Sequence, residues 1–376
     1  CKERPGHLKS QLIGGREFPP YYFDKDGNVN PGFDNLEIVY PGSDELGNLP
    51  FENPKTGVPD VPFDDDKKKK LFALGIGRGN IHYGLVMMST LFLREHNRIA
   101  KLIAEAHKND PKWDTDRVFE STRNTLIALL LRVVIEDYIN HITPVKFKFF
   151  LEPRIGLKEK WYRPNWMAVE FNLLYRWHTM IPSRIRVGGR DRDIRDVLWD
   201  TDVVTTKGLA ALFDEASRQP CTAVSLLNTD PALLNIEWTT IDVGRRNKLA
   251  SFNEYRERCG YPKIKSFQDL SSDRKVQSAL ERCYGNIDNV EFYPGLFAED
   301  VRKDGILPTL MATMVAVDAF SQALTNPLLA PGIFDEETFS ATGLEIIKTT
   351  NTLAQIVQRN IPGESLEPRV TFYQKR

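Results

Sequence analysis

Two side chains three positions apart, Tyr175 and His178, offer the chemistry of most consequence in this chain. They lie in the run Asn172-Leu173-Leu174-Tyr175-Arg176-Trp177-His178-Thr179-Met180-Ile181-Pro182. On a helix, positions i and i+3 share a face. An imidazole in that position can bind an iron through one ring nitrogen while a neighbouring acceptor orients the other. A phenol one turn away can be oxidised and then abstract a hydrogen atom. The same spacing also suits a core histidine with its hydrogen bonds satisfied just before a proline, and periodicity does not choose between the two.

Two further polar runs stand out. Thr90-Leu91-Phe92-Leu93-Arg94-Glu95-His96-Asn97-Arg98-Ile99-Ala100 reads as a charged helix face whose residues form a structural network. Ile241-Asp242, followed by Ser251-Phe252-Asn253-Glu254-Tyr255-Arg256, sets polar groups beside aromatic ones and suits a structural role as well.

The elements that must position these residues are mainly helical. Residues 1–60 are rich in proline and glycine, as at Pro19-Pro20, and predict extended segments and loops. From Gly84 the pattern changes. Leu91, Phe92, Ile99, Leu102 and Ile103 mark the apolar side of a helix running to about His107. Asp114 or Thr115 caps the next helix, which carries Phe119, Ile127, Leu130, Val134 and Tyr138 and is apolar almost all round in its middle, as a centrally buried helix would be. Helical stretches follow near 165–181, 207–217, 273–283, 308–327 and 341–359. The fold expected is mainly α, one large catalytic domain with an irregular N-terminal flank.

Charge and composition remove several classes of function. With 50 Lys plus Arg against 51 Asp plus Glu, the net charge of -1 argues against a nucleic-acid binder. The dense run Asp64-Asp65-Asp66 with Lys67 to Lys70 reads as a solvated loop or helix entry. The four cysteines (Cys1, Cys221, Cys259, Cys283) are too few and too scattered for a disulfide framework or a zinc site. No signal peptide is visible, and the longest apolar stretch, Leu126 to Leu131, is far short of the roughly 20 residues a membrane-spanning helix needs.

Taken together, the Arg-Glu-His-Asn-Arg, Tyr-Arg-Trp-His and Phe-Asn-Glu-Tyr-Arg runs resemble, in order and rough spacing, the animal-type haem peroxidase superfamily. Within it the chain is most similar to cyclooxygenases, linoleate diol synthases and related fatty-acid dioxygenases. Val134-Ile135-Glu136-Asp137-Tyr138 also resembles cyclooxygenase segments, as do Tyr284-Gly285-Asn286-Ile287-Asp288 with Glu291-Phe292-Tyr293-Pro294 and the stretch Gln11 to Pro20. The likeness runs through nearly the whole chain.

The resemblance implies a haem peroxidase-like helical domain with His178 as proximal haem iron ligand and Tyr175 as the radical-forming residue. It places Asp242 near the proximal histidine as a supporting polar group. Arg78 stands at the spacing from Arg94 expected of a distal arginine, although Ile81 occupies the place of the glutamate expected three residues on. Phe320 and Ser321 lie in a stretch resembling the helix that lines the fatty-acid channel, with a one-residue offset in the match.

The function implied is a haem-dependent dioxygenase that oxygenates a polyunsaturated fatty acid with dioxygen through a tyrosyl radical. The alternatives are a plain haem peroxidase oxidising small reductants and a haem-binding protein without catalysis. In the superfamily, the distal histidine and the group that pairs with the fatty-acid carboxylate lie upstream of the segment resembling Leu8 to Pro20, and His7 is no substitute. Residues 1–376 are therefore expected to form a single catalytic domain lacking its N-terminal, distal portion, with any peripheral membrane contact made by upstream segments. The first residue, Cys1 rather than Met, agrees with that expectation.

Overall fold

The computed structural model describes residues 4–41, 43, 63–142, 148–154, 157–159, 162, 167–303, 305–364 and 366–372. Helices dominate the described residues, and the named strands form only two antiparallel ribbons, Gln11–Ile13 with Arg16–Phe18 and Arg184–Val187 with Arg190–Asp193.

The longest helix, Tyr83–Ala106, begins where His82 Nδ1 accepts from the Gly84 amide. It packs against Thr115–Val133, Asp202–Ser217 and the strand Arg16–Phe18. Its apolar stripe is buried at Leu91, Ile99 and Ile103, while Leu102, expected on the same side, faces out. The cap of Thr115–Val133 is Asp114, whose side chain accepts from the Arg117 amide at 2.9 Å. This helix is not enclosed all round. Val118, Ala128 and Leu129 are buried, but Ile127 and Leu130 are exposed. Glu336–Thr349 covers one side of it so closely that a β-carbon at Gly343 would collide with Thr125.

The Arg-Glu-His-Asn-Arg run ties this half together. Glu95 is 0 % exposed and accepts from Arg98, Arg359 and Asn360. Arg94 donates to the carbonyls of Glu17 and Asn360, His96 bonds the Gly6 carbonyl at 2.9 Å, and Asn97 accepts from the Leu8 amide at 2.8 Å. Four consecutive buried residues, pointing to different sides of the helix, thus fix both the N-terminal flank and the C-terminal helix Leu353–Arg359. The stretch expected as one helix over 341–359 is two, because Thr350 is extended and Thr352 caps a new helix through a capping box with Gln355.

The charge run forms a short helix, Asp65–Lys69, capped by Asp64. Its lysines are less solvated than the sequence suggests. Lys68 lies over the Phe23 and Tyr40 rings, and Lys70 bridges Asp66 and Asp202.

A second core gathers Val169–Leu174, Leu234–Arg246, Phe252–Arg258, Phe292–Ala298 and Thr309–Leu324. Ser251 caps Phe252–Arg258 through a capping box with Glu254, and Arg256 pairs with Glu299 in the interior. At Gly295 a side chain would run into the Phe252 ring, so these two helices meet at a contact only glycine permits. This second core carries the run that holds Tyr175 and His178.

Candidate active site

The Tyr175 and His178 segment is a broken helix rather than a continuous one. Val169–Leu174 ends with Tyr175 as its C-cap, and His178–Met180 forms a separate single turn of 3-10 helix. The indole of Trp177 folds back to donate to the Leu174 carbonyl at 2.7 Å. Pro182 then keeps Ile181 extended, which ends the turn. The i, i+3 relation therefore does not place the two side chains on one helix face as the sequence suggests. Neighbouring elements hold them in place instead.

The His178 turn is clamped by the loop that follows Cys221. Thr179 is buried and donates to the Ala223 carbonyl at 2.7 Å, while its own carbonyl accepts from Asn228 at 3.0 Å. Tyr175 is braced by rings. Trp177 stacks on it at 4.4 Å between centroids with 22° between planes, and Phe171 lies at 5.4 Å. Its hydroxyl donates to the Tyr138 hydroxyl at 3.0 Å. Tyr175 as a whole is 36 % exposed.

Tyr138 lies where Thr115–Val133 gives way to a π-helix, Val134–Ile139. Such wide turns are uncommon and often occur at functional positions. Burial raises the pKa of Tyr138, and the Tyr175 hydroxyl raises it further. Burial likewise raises that of Tyr175. Both phenols therefore keep their protons across the ordinary pH range. The sequence pattern places Tyr138 only on a helix. Its run resembles cyclooxygenases, but nothing in its spacing signals the π-helix.

His178 turns Nδ1 inward. That nitrogen is buried, has no hydrogen-bond partner, and lies 3.5 Å from Glu237 Oε1. No described residue hydrogen-bonds Nε2, which leaves it free to act as a ligand. Among the described residues, no three His, Cys, Asp or Glu side chains group to hold a bare metal ion. A single imidazole suits an iron whose remaining protein-independent ligands come from a macrocycle, so the donor set fits haem.

The carboxylate beside His178 is Glu237, not Asp242. Both are on the helix Leu234–Arg246, but five residues turn a helix by about 140° past a full turn. Asp242 therefore points outward, with a side chain 61 % exposed, and pairs with Arg246 at 2.9 Å. Glu237 shares the inward face with Leu233 and the buried Thr240. An acid within that otherwise buried stripe was the sequence signal that could have found it.

The other expected residues are on neighbouring elements. Arg78 is exposed in the 3-10 turn Gly77–Asn80, close enough to Arg176 for the two charges to act on each other. Burial lowers the pKa of Arg176; Tyr293 and Glu237 raise it, and Arg78 lowers it. Arg176 donates to Thr240 at 2.9 Å and to Asn172 at 2.7 Å. Phe320 packs on Phe149 at 4.6 Å, beside Ile135 of the π-helix, and Ser321 is buried. Both are on Thr309–Leu324, which packs against Val169–Leu174.

A mainly helical fold with an inward-turned histidine and a ring-braced tyrosine suits a haem-binding oxidoreductase. Residues 36–371 match the family model for animal haem peroxidases, and the chain belongs to that family, whose cofactor is haem. It is 29% identical over 362 residues to prostaglandin G/H synthase 2 of Equus caballus, covering 96% of this chain and 54% of that protein. It is 32% identical over 315 residues to prostaglandin G/H synthase 1 of Rattus norvegicus, covering 83% of this chain and 50% of that protein. The chain thus spans about half the length of the curated relatives it matches.

Among solved structures, its fold is similar to a fatty acid alpha-dioxygenase of Oryza sativa, with a TM-score of 0.69 at 18% identity over 95% of this chain and 64% of the other. Peroxidase A of Dictyostelium discoideum gives a TM-score of 0.68 at 19% identity over 97% and 65%.

Proposed function

We propose that this chain carries the catalytic core of a haem-dependent dioxygenase that oxygenates a polyunsaturated fatty acid through a radical on Tyr175. The observation that carries this reading is the pairing, within an animal haem peroxidase, of a His178 suited to bind iron with a tyrosine three residues before it. Its relatives in sequence include prostaglandin G/H synthases, and its fold resembles that of a fatty acid alpha-dioxygenase.

His178 would hold the iron through Nε2. Bound haem supplies the one-electron oxidising power, and the protein supplies placement and electrostatics. Tyr138 accepts the Tyr175 hydroxyl hydrogen bond, and the Trp177 and Phe171 rings hold the phenol in one orientation. The Tyr175 phenoxyl takes a bis-allylic hydrogen atom from the fatty acid and becomes a phenol again. Dioxygen adds to the carbon radical to give a peroxyl radical. That radical takes the hydrogen back from Tyr175, leaving a hydroperoxide and restoring the phenoxyl. Phe320 and Ser321 belong to the wall along which the chain of the substrate lies, as a site for an apolar ligand requires. Arg78 adds positive charge at the edge of the site, available to a peroxide anion.

A peroxidase acting on small reductants is the second reading, favoured by the partly exposed Tyr175. Haem-loaded protein incubated with linoleate under oxygen separates the two. Oxygen uptake with formation of an oxygenated fatty acid is the expected result. Peroxide-dependent oxidation of a small phenol with no oxygen uptake would replace the first reading with the second.

A further inference from the structure

We propose that Glu237 is a positioning residue that fixes the orientation of His178 and sets how strongly its imidazole donates to iron. This rests on the reading of His178 as the haem ligand.

The geometry carries the case. Nδ1 of His178 is buried, unpaired and 3.5 Å from Glu237 Oε1, so a small ring rotation closes a hydrogen bond. The carboxylate is itself held from two sides. Thr229 donates to Oε1 at 3.2 Å, and Tyr293 donates to Oε2. Tyr293 also reaches the Arg176 carbonyl at 3.2 Å, so the same hydroxyl ties the carboxylate to the segment carrying His178. Glu237 is only 15 % exposed on its side chain and sits in the first turn of its helix, where the aligned peptide dipoles favour a negative charge.

A held carboxylate facing Nδ1 has two consequences. It selects the tautomer with the proton on Nδ1, which frees the Nε2 lone pair for iron. It also draws that proton toward itself, which makes the imidazole a stronger donor and favours ferric over ferrous iron. A neutral amide in the same place would keep the orientation but weaken the donation. This difference separates a charge-based role from simple packing.

The test uses haem-loaded full chain carrying Glu237→Gln, Glu237→Asp or Thr229→Val. The readouts are the iron–histidine stretching band of the ferrous form by resonance Raman and the ferric/ferrous midpoint potential by spectroelectrochemistry. Glu237→Gln is expected to lower the stretching frequency, to move the potential positive, and to weaken haem affinity about tenfold or more. Glu237→Asp should restore part of both shifts. Thr229→Val loosens the carboxylate without removing it and should give a smaller shift in the same direction, so the idea stays testable if Glu237→Gln folds poorly. Wild-type frequency and potential in Glu237→Gln would overturn the role of Glu237 while leaving His178 as ligand. A wild-type protein lacking any iron–histidine band would overturn the ligand assignment, and this inference with it.

Discussion

The Tyr175 hydroxyl donates to the Tyr138 hydroxyl across 3.0 Å, joining a helix C-cap to a π-helix that is distant in sequence. A phenoxyl formed at Tyr175 would therefore sit beside a hydrogen-bond donor, since Tyr138 can turn its own proton toward the new radical oxygen. Tyr138→Phe removes that partner at a net cost to stability of about 1 kcal/mol. Oxygenation should persist while the electron paramagnetic resonance spectrum of the radical changes to that of a phenoxyl without a hydrogen bond. An unchanged spectrum would mean that the pair does not survive oxidation.

His178 and His96 should respond oppositely to replacement. His178→Ala removes the imidazole proposed to hold iron, so reconstituted protein should lose most of its haem and its Soret band should shift. His96 bonds the Gly6 carbonyl and lies tilted against the Phe119 ring at 5.4 Å, in the network that fastens the N-terminal flank. His96→Ala should cost about 1–3 kcal/mol by leaving that carbonyl unpaired, with haem content kept. Equal haem loss in both variants would argue against the assignment.

Glu95 gives the fold a defined acid sensitivity. Burial pushes its pKa up, but Arg98 and Arg359 outweigh burial and hold it below the ordinary 4.5. A depressed carboxylate stabilises the fold above its unfolded pKa, and that contribution is lost as pH falls through the lower, folded value. Chemical denaturation measured from pH 6 downward should therefore show stability falling once pH drops below the ordinary Glu value of 4.5. Glu95→Gln should remove that part of the slope and cost about 3–5 kcal/mol at neutral pH, because two guanidinium groups lose their partner. A slope identical to wild type would place the acid sensitivity elsewhere.

The contact at Gly295 offers a packing test. An alanine there must displace the Phe252 ring, an overpacking expected to cost about 1–3 kcal/mol. Tyr293 is on the same short helix, so its bond to Glu237 should loosen as well. Thermal unfolding should show the loss directly, and an unchanged midpoint would mean the backbone yields without cost.

Much of this was legible in the sequence, for reasons that particular residues show. The helix Tyr83–Ala106 declared itself through its apolar period, and Asp114 through its capping chemistry. The family was legible because three polar runs keep their order along the chain. What failed were inferences that needed rotation or tertiary context. The resemblance points to Asp242 as the polar group near His178, yet helical phase turns it outward and brings Glu237 in. Tyr175 and His178 looked like one helix face, yet the Trp177 indole and Pro182 break the helix between and after them. Ile127 and Leu130 looked buried because apolar residues surround them, but apolar composition does not fix which side another helix covers.

Replacing the Tyr175 hydroxyl shows whether Tyr175 carries the oxidising radical. Tyr175→Phe keeps the ring between Phe171 and Trp177, loses only the bond to Tyr138, and leaves His178 untouched. Oxygen uptake with linoleate and peroxide-dependent oxidation of a small phenol should be measured on one haem-loaded preparation. Oxygen uptake should fall to background while phenol oxidation continues. Fatty-acid oxygenation by Tyr175→Phe at a rate close to wild type would contradict a radical on Tyr175 and move it to another residue, with the stacked Trp177 the first to examine.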